Sequence, residues 1–150
     1  MIFKSLIFKF ETIRDCVCVD YFYKRKFRFN LFYNFCSYRY NYILFCVIFI
    51  KIVKNFPYSI GVTSLLKLFK NMNWLEREIW DLYGIFFINH IDFRRILTDY
   101  GFYGFPLRKD FPLMGYYEIR YDDFDNMIIK EKLQIIQNYR LYEYTNTFKY

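Results

Sequence analysis

The stretch from Ile85 to Tyr117 constrains the fold of this 150-residue chain most, because it combines many charged and aromatic side chains with no regular periodicity. Glycines and prolines interrupt it at Gly101, Gly104, Pro106, Pro112 and Gly115. The backbone and charged groups of so long an irregular segment need partners that the segment itself does not supply. Its aromatic content argues against disorder. We therefore expect residues 85–150 to form an arm that wraps a partner protein.

The chain before this arm predicts an α+β core over residues 1–84. Residues 2–13 carry apolar side chains at helical spacing. Residues 16–22, 27–36 and 42–53 are rich in β-branched and aromatic residues and predict three strands, and the polar residues 37–41 predict a hairpin turn. The run 42–53 is apolar on both faces, so we expect it at the centre of its sheet.

A helical periodicity then runs from Leu65 to Leu82. Thr63 or Ser64 can cap its start, and Asn73 with Glu76 three residues later forms a second capping-box pattern. We therefore predict two short helices, over residues 64–71 and 74–83, with a left-handed Gly84 ending the second. Further on, residues 118–121 predict a strand, and residues 128–140 fit a helix or a strand equally well. The fold class is thus α+β: a small mixed or antiparallel sheet with helices on one face and a long irregular C-terminal arm, in a single domain.

Charge and hydropathy limit the classes of partner. The net charge is +7, and residues 1–75 contain 12 Lys and Arg against 3 Asp and Glu. A basic half can bind nucleic acid or anionic lipid, or dock on an acidic protein. The longest apolar run, Tyr42–Ile50, is well short of the roughly 20 residues of a membrane-spanning helix. We therefore expect no direct membrane span. The first residues lack the character of a signal or transit peptide, so we expect the chain to be made in the compartment where it works.

The cysteines and glycines do not form a recognisable cofactor motif. Cys16, Cys18, Cys36 and Cys46 include no CxxC pair, and the single histidine, His90, is far from them in the sequence. We therefore favour reduced, buried cysteines over a zinc or iron–sulfur site. Gly101 and Gly104 lack the strand, turn and helix context of a dinucleotide fingerprint. We expect no cofactor and no metal in this chain.

Three ordered strings carry a family resemblance: Glu76-Arg77-Glu78-x-Trp80-Asp81-x-x-Gly84, Arg94-Arg95-Ile96-Leu97-x-Asp99, and Pro106-Leu107-Arg108-Lys109-Asp110-Phe111-Pro112-Leu113. With these strings the chain resembles the thirty-kilodalton subunit family of the respiratory NADH:quinone oxidoreductase, complex I. The resemblance extends more weakly over residues 15–145. It departs at Ile91, where the family usually has Pro, and at Phe105, where it usually has His.

The resemblance implies a non-catalytic core subunit of the peripheral, quinone-module arm, on the matrix side of the mitochondrial inner membrane. It implies that the partners are other complex I subunits, chiefly the large subunit beside the quinone site. The whole complex passes electrons from NADH through FMN and iron–sulfur clusters to ubiquinone and couples this to proton translocation. The resemblance implies that this chain holds none of those centres.

The residues of the three strings, together with His90, are expected to serve structure and partner docking. They are Glu76, Arg77, Glu78, Trp80, Asp81, Gly84, His90, Arg94, Arg95, Asp99, Pro106, Arg108, Lys109 and Asp110. On a helix Arg77 can pair with Asp81, and a lone imidazole such as His90 fits a hydrogen-bonding role in a loop. Arginines and aspartates interleave over residues 92–110, which suits pairing with a protein better than binding a polyanion.

Two other functions stay open at this point. The basic first half and its aromatic side chains could bind RNA, as in an organellar ribosomal or other RNA-binding protein. Alternatively, Glu76, Glu78 and His90 could form an acid–base site of an enzyme. No nucleophile, metal site or substrate pocket is recognisable beside those three residues, so we prefer a structural cluster of ion pairs.

Overall fold

The computed structural model describes residues 9–23, 27–50, 61–134 and 141–142. The chain divides into two compact units, Met1–Phe111 and Pro112–Tyr150. Several expectations lie wholly or partly outside the described residues: the helix over residues 2–8, the end of the third strand at 51–53, and the 135–140 part of the ambiguous segment.

An antiparallel sheet in the order β1–β2–β3 forms the centre of the first unit. Strand β1 is Thr12–Asp20, β2 is Phe29–Ser37 and β3 is Tyr42–Ile50, with a turn at residues 38–41 between the last two. Alternation places Cys16, Cys18 and Leu31 on one buried face. The three strands, the hairpin turn and the burial of Cys16 and Cys18 are confirmed, and all four cysteines are free. The expected burial of Cys36 and Cys46 is wrong, because both are only partly buried.

Helix α1, Met72–Tyr83, packs on β1 and covers the buried face of the sheet. Its apolar positions Met72 and Ile79 are almost fully buried. Gly84 ends the helix in the left-handed conformation with φ +71°, and its N–H donates to the Trp80 carbonyl at 2.9 Å, as predicted. Two short parallel strands, β4 (Val62–Thr63) and β5 (Phe87–Ile88), join the segments on either side of the helix.

The second unit contains an antiparallel hairpin. Strand β6, Tyr117–Asp122, pairs with β7, Met127–Lys132, in register from Tyr117 opposite Lys132 to Asp122 opposite Met127. The strand expected at 118–121 is confirmed, and the described part of the ambiguous segment is a strand up to Lys132. The α+β class with a small antiparallel sheet is confirmed.

The predicted helix over residues 64–71 and the predicted start of the second helix at residue 74 are wrong. Residues 64–71 form successive turns, in which the N–H groups of Leu68 and Phe69 both donate to the Leu65 carbonyl at 2.9 Å. The helix begins at Met72 with no side-chain cap, so Asn73 does not form a capping box. Ile13, expected in an N-terminal helix, lies in β1. These expectations are wrong because tertiary partners outweigh local propensity at these positions.

Strand β3 was expected at the centre of the sheet, and this is also wrong. Strand β2 occupies the centre, and within the described residues β3 pairs with β2 alone. The side chains of Phe45 and Phe49 are 68% and 59% exposed. The apolar pattern of β3 indicates that both faces of the strand favour burial. It does not indicate whether a neighbouring strand pairs with one edge of β3 or with both.

Residues 85–111 belong to the first compact unit, although they were assigned to the arm. They are irregular apart from β5, and the N–H of Leu107 donates to the carbonyl of Leu82 at 3.1 Å. That residues 85–150 wrap a partner stays a prediction. Among the described residues, no helix has the length and apolar character required to cross a membrane.

Candidate functional site

Glu76 is fully buried on the side of α1 that faces the preceding turns. Its carboxylate accepts hydrogen bonds from the Ser64 hydroxyl at 2.5 Å and from the Leu65 N–H at 2.8 Å. Burial raises the pKa of Glu76, while the Ser64 hydroxyl, the Leu65 amide and His90 partly counteract the rise. Glu76 therefore satisfies donors that the turn at residues 64–68 does not satisfy itself.

The His90 side chain is fully buried beside this carboxylate. Its Nε2 lies 3.7 Å from Oε2 of Glu76, and its ring centroid lies 5.4 Å from that of Phe93. Neither ring nitrogen has a hydrogen-bond partner among the described residues. The expected hydrogen-bonding role in the loop is thus wrong, and the contact of His90 with Glu76 is electrostatic.

Asp81 is the second fully buried carboxylate of α1. One oxygen accepts from the backbone N–H groups of Leu97 and Thr98 at 2.7 and 2.8 Å, and the other accepts from the Thr98 hydroxyl at 2.6 Å. Burial acts to raise the pKa of Asp81, but the bonds from Thr98 and Leu97 and the charge of Arg95 outweigh it and lower the pKa. The expected pairing of Arg77 with Asp81 is wrong, because distant donors occupy this carboxylate.

Arg77 points instead toward residue 94. Its Nε donates to the Arg94 carbonyl at 2.9 Å, and its guanidinium carbon lies 5.5 Å from the centroid of Trp74. The residue is only 7% exposed. In the part of the chain that the structure describes, its terminal nitrogens donate no hydrogen bond.

Arg95 holds the irregular segment in place by contacts with α1 and with the backbone of the segment itself. The Arg95 guanidinium lies 3.4 Å from the Asp81 carboxylate and donates to the carbonyls of Phe102 and Gly104 at 2.9 and 2.6 Å. Together these three contacts hold residues 102–104 against the helix. Since each guanidinium donor has a fixed direction, the contacts set the path of the backbone as well as its position.

Arg108 closes the C-terminal end of α1. Its Nε donates to the Tyr83 carbonyl at 2.6 Å, and its guanidinium carbon lies 4.4 Å from the Phe105 ring centroid. A Cβ added at Gly84 would lie 2.5 Å from Nη2 of Arg108 and 2.6 Å from the Phe105 ring. Phe105, one of the two departures from the family pattern, is therefore part of the contact that restricts this position to glycine.

A separate ion-pair cluster joins the ends of β1 and β2 to residues 109–110. Arg28 donates to both oxygens of Asp20 at 2.7 Å each and to the Asp110 carboxylate at 2.9 and 3.1 Å. The N–H of Lys109 also donates to Asp20, at 2.9 Å. The Arg28 hydrogen bonds lower the pKa of Asp110. The cluster fixes the last residues of the first unit on its sheet.

Most of the predicted site residues thus gather around α1, and most of their polar groups bind the chain's own segments. Those that contact distant parts of the first unit are Glu76, Arg77, Trp80, Asp81, Gly84, His90, Arg95, Arg108 and Asp110, whereas the side chain of Arg94 pairs with nearby Asp92. Trp80 packs against Phe93 with 4.8 Å between ring centroids. Glu78, Arg94, Asp99 and Lys109 have exposed side chains, and Pro106 is half-buried in a turn. Their role in docking stays a prediction.

The acid–base alternative required Glu76, Glu78 and His90 to meet. Glu76 and His90 are buried together, but Glu78 is exposed elsewhere on α1. Residues two apart on a helix do not share a face. The structure therefore does not assemble these three residues into one site.

Sequence reasoning missed Asp20, Arg28, Ser64 and Thr98. The ion pair of Asp20 and Arg28 could have been predicted, because the two residues have opposite charges and lie at the ends of the connection between the first two predicted strands. Pairing of those strands brings the two positions together. Ser64 and Thr98 gave no comparable signal, since their partners on α1 are many residues away.

Comparison with known proteins decides between the remaining functions. The sequence model of one family, described as the 30 Kd subunit of the respiratory-chain NADH dehydrogenase, matches residues 2–117. The chain belongs to this family.

Individual relatives agree with the 30 Kd family. The chain is 48% identical to NADH-ubiquinone oxidoreductase subunit 9 of Acanthamoeba castellanii over 146 residues, which cover 97% of this chain and 70% of the relative. It is 43% identical to the protein of the same name from Reclinomonas americana, over 94% of this chain and 66% of the relative. NADH dehydrogenase [ubiquinone] iron-sulfur protein 3 of Solanum tuberosum is 42% identical, over 93% of this chain and 70% of the relative.

Membership of the 30 Kd family makes this chain a subunit of complex I, with other complex I subunits as its partners and a mitochondrial location. The resemblance carried by the three strings is confirmed. The comparisons give no support to a ribosomal protein.

The name of one group of relatives mentions iron and sulfur, and cysteine thiolates are the usual ligands of iron–sulfur clusters. Cys16 and Cys18 lie on one buried strand face, and burial raises the pKa of both thiols, that of Cys18 to about 12. Iron–sulfur clusters are bound by thiolates, which such burial disfavours. Within the described residues, no three His, Cys, Asp or Glu side chains are grouped to hold a metal. Cys16 and Cys18, as the structure places them, therefore do not fit the ligation of a cluster.

Proposed function

We propose that this chain is a non-catalytic docking subunit in the quinone module of complex I. It sits in the peripheral arm, on the matrix side of the inner membrane, and its chief partner is the large subunit beside the quinone site. It holds no FMN, iron–sulfur cluster or ubiquinone of its own and binds no nucleic acid. Its contribution is to position neighbouring subunits that carry electrons from NADH to ubiquinone.

One observation carries this proposal: two arginines of the irregular segment turn inward to the chain's own backbone, while large apolar side chains of the segment remain outside. Arg95 and Arg108 donate to backbone carbonyls of the chain itself, and Asp81 of α1 accepts from the Leu97 N–H of the segment. On the surface of the same segment, Tyr103 is 81% exposed and Leu107 is 49% exposed. Exposed apolar side chains on a fixed backbone are typical of protein interfaces.

The inward ion pairs also explain why an irregular segment can serve as a docking surface. A loop that is already ordered loses less conformational freedom when a partner binds. The buried carboxylates therefore support docking indirectly, by fixing residues 85–111 before assembly.

The test is assembly of complex I around variants whose changes face outward. Tyr103→Asp and Leu107→Asp place a charge on the proposed docking surface without touching the internal ion pairs. Tyr38→Asp is the control, because Tyr38 is 71% exposed on the turn between β2 and β3. We expect native gels to show loss of the assembled complex and of its NADH:ubiquinone activity in the first two variants, and normal assembly in the control.

Arg108→Ala is a poor test of docking, because the same change removes the contact that closes α1. Full assembly and full activity with both Tyr103→Asp and Leu107→Asp would refute the proposed docking surface. Absence of the unmodified chain from the NADH-active band would refute the proposed subunit role itself.

A further inference from the structure

A groove lies between the N-terminal half of α1 and the segment 94–101. It has a volume of about 750 Å³ and its lining includes Trp74, Arg77, Arg94, Leu97, Thr98 and Tyr100. This volume is within the range that accommodates side chains of a bound segment. All of its lining belongs to the first compact unit.

Arg77 supplies the main charge of this groove. The residue is 7% exposed, and a bond from Nε to the Arg94 carbonyl at 2.9 Å fixes the plane of its guanidinium. Its terminal nitrogens lack an acceptor among the described residues. These nitrogens are not fully enclosed and open to the groove, where a carboxylate of a partner can replace water. The free edge of the group therefore fits a carboxylate from another chain, by two parallel hydrogen bonds.

Three other charged residues line the groove, Arg94, Arg95 and Asp99, and each has a contact within the chain. Arg94 pairs with Asp92 at 2.9 Å, with the Arg94 side chain 73% exposed. Arg95 turns inward to Asp81. Asp99 accepts from the N–H of Tyr100 at 2.9 Å. Because carboxylates stand beside the groove, a single acidic side chain fits it better than a polyanion such as RNA.

The rim of the groove is apolar. Trp74 is 65% exposed, Leu97 is 60% exposed and Tyr100 is fully exposed. Aromatic rims around one buried charged contact are characteristic of protein interfaces, where they exclude water from the ion pair. The rim therefore favours a peptide segment with an apolar side chain next to its carboxylate.

We propose that this groove binds an acidic peptide segment of a neighbouring complex I subunit. One Asp or Glu of that segment accepts two hydrogen bonds from Arg77, and an adjacent apolar side chain packs on Trp74 and Tyr100. The inference rests on the proposed docking function and adds the chemistry of one contact. Arg77 acts here as a binding residue.

The first experiment locates the occupant in the assembled complex. Tyr100 is replaced by the photocrosslinking residue benzoylphenylalanine, the complex is purified and irradiated, and the crosslinked peptide is sequenced by mass spectrometry. The expected product joins residue 100 to a segment of another subunit that contains Asp or Glu beside an apolar residue. Crosslinks to RNA, to a second copy of this chain or to a segment without acidic residues overturn the proposal, as does the absence of any crosslink.

The second experiment measures the contribution of the guanidinium. Arg77→Met keeps most of the side-chain volume and removes the charge, and Arg77→Lys keeps the charge but not the planar fork. Release of the chain from the purified complex is followed on native gels as urea is raised. Loss of one partner of a desolvated pair predicts roughly tenfold or faster release of Arg77→Met, with Arg77→Lys between it and the natural chain. The matched control is Arg14→Met, which removes an exposed arginine from β1.

A merely structural Arg77 would give a different result. In that case Arg77→Met would lower the urea midpoint of the isolated chain, and its release from the complex would be no faster than that of Arg14→Met. This pattern overturns the groove proposal. If the chain still co-migrates with the active complex, the docking function stands without it.

Discussion

Arg28 donates from Nε and Nη2 to the two carboxylate oxygens of Asp20, with both donor–acceptor distances at 2.7 Å. The Asp20 side chain is 1% exposed and that of Arg28 is 14% exposed. Because both sides of the pair are shielded from water, its geometry matters more than that of a surface ion pair.

Arg28→Lys tests that geometry. Lysine keeps the charge but not the planar fork that meets both oxygens of Asp20. We expect the free energy of unfolding to fall by about 1–2 kcal/mol, from urea denaturation of the purified chain. The control is Arg120→Lys, since Arg120 bonds Glu131 at 2.9 and 3.1 Å but its side chain is 50% exposed. Equal effects of the two changes would contradict a special role for the buried pair.

Asp81→Asn is expected to cost about 2–3 kcal/mol at neutral pH. The amide oxygen can still accept from the N–H groups of Leu97 and Thr98, but its NH2 group then replaces the carboxylate oxygen that accepts from the Thr98 hydroxyl and lies 3.4 Å from Arg95. The change therefore removes a charged acceptor and a buried ion pair. Asp92→Asn is the control, because Asp92 pairs with an exposed arginine. Hydrogen exchange at Leu97 and Thr98 gives the local readout. Unchanged protection of both amides would show that Asp81 does not hold the segment.

The same carboxylates predict how stability depends on pH. Asp81 and Asp110 have folded-state pKa values below their usual range. The stabilisation they provide is complete above an unfolded-state pKa of about 3.9 and is lost as pH falls through the folded-state values. In Asp81→Asn the urea midpoint should therefore decline less steeply below about pH 4 than in the natural chain. If the urea midpoints of Asp81→Asn and of the natural chain fell equally with pH below about pH 4, this contribution of Asp81 would be ruled out.

Glu76 predicts the opposite sign, because burial raises its pKa. A raised carboxyl pKa gives a contribution that is present below the unfolded-state value of about 4.3 and is lost as pH rises through the folded-state value. The stability of Glu76→Gln relative to the natural chain should therefore improve as pH rises across that window. Carbon-13 NMR titration provides a direct check: Ser64→Ala and His90→Gln should each raise the pKa of Glu76, and Ser64→Ala should raise it more.

Gly84 and Gly101 form a natural pair for separating backbone strain from packing. Their φ values are +71° and +68°, but an added Cβ meets Arg108 and Phe105 at Gly84 and nothing within 4 Å at Gly101. Gly101→Ala should cost about 1 kcal/mol, which is the left-handed penalty for a residue with a Cβ. Gly84→Ala should cost about 1–3 kcal/mol more, because of the clash. Equal losses in thermal unfolding would mean that Arg108 and Phe105 move aside freely.

Features that depend on neighbouring residues were predictable from the sequence. The period-two pattern around Cys16 and Cys18 indicated a strand with a buried face, and Gly84 follows the last helical position, where a left-handed cap is common. The family strings likewise marked the region around α1 as the one where polar residues gather. In each case the information lies within a few positions along the chain.

Features that depend on distant partners were not predictable in the same way. Asp81 had a plausible local partner in Arg77, but Leu97 and Thr98 occupy it because a buried carboxylate is stabilised most by several fixed donors. Likewise, Glu76 was assigned to a cap at Asn73, whereas it binds Ser64. The choice among possible partners of a charged residue depends on tertiary geometry that a pattern of residue types does not contain.

The bond from Lys109 to Asp20 spans 89 positions of the chain, and it has a consequence for biosynthesis. A chain made from its N-terminus completes the β1–β2 hairpin long before residue 109 leaves the ribosome, and contacts of such long range form late in folding. Until then Asp20 lacks one of its hydrogen-bond donors. Asp81 likewise lacks its donors until Leu97 and Thr98 have been synthesised. A product truncated before residue 97 therefore keeps two under-bonded carboxylates, and its locally open segments are more susceptible to proteolysis than those of the finished protein.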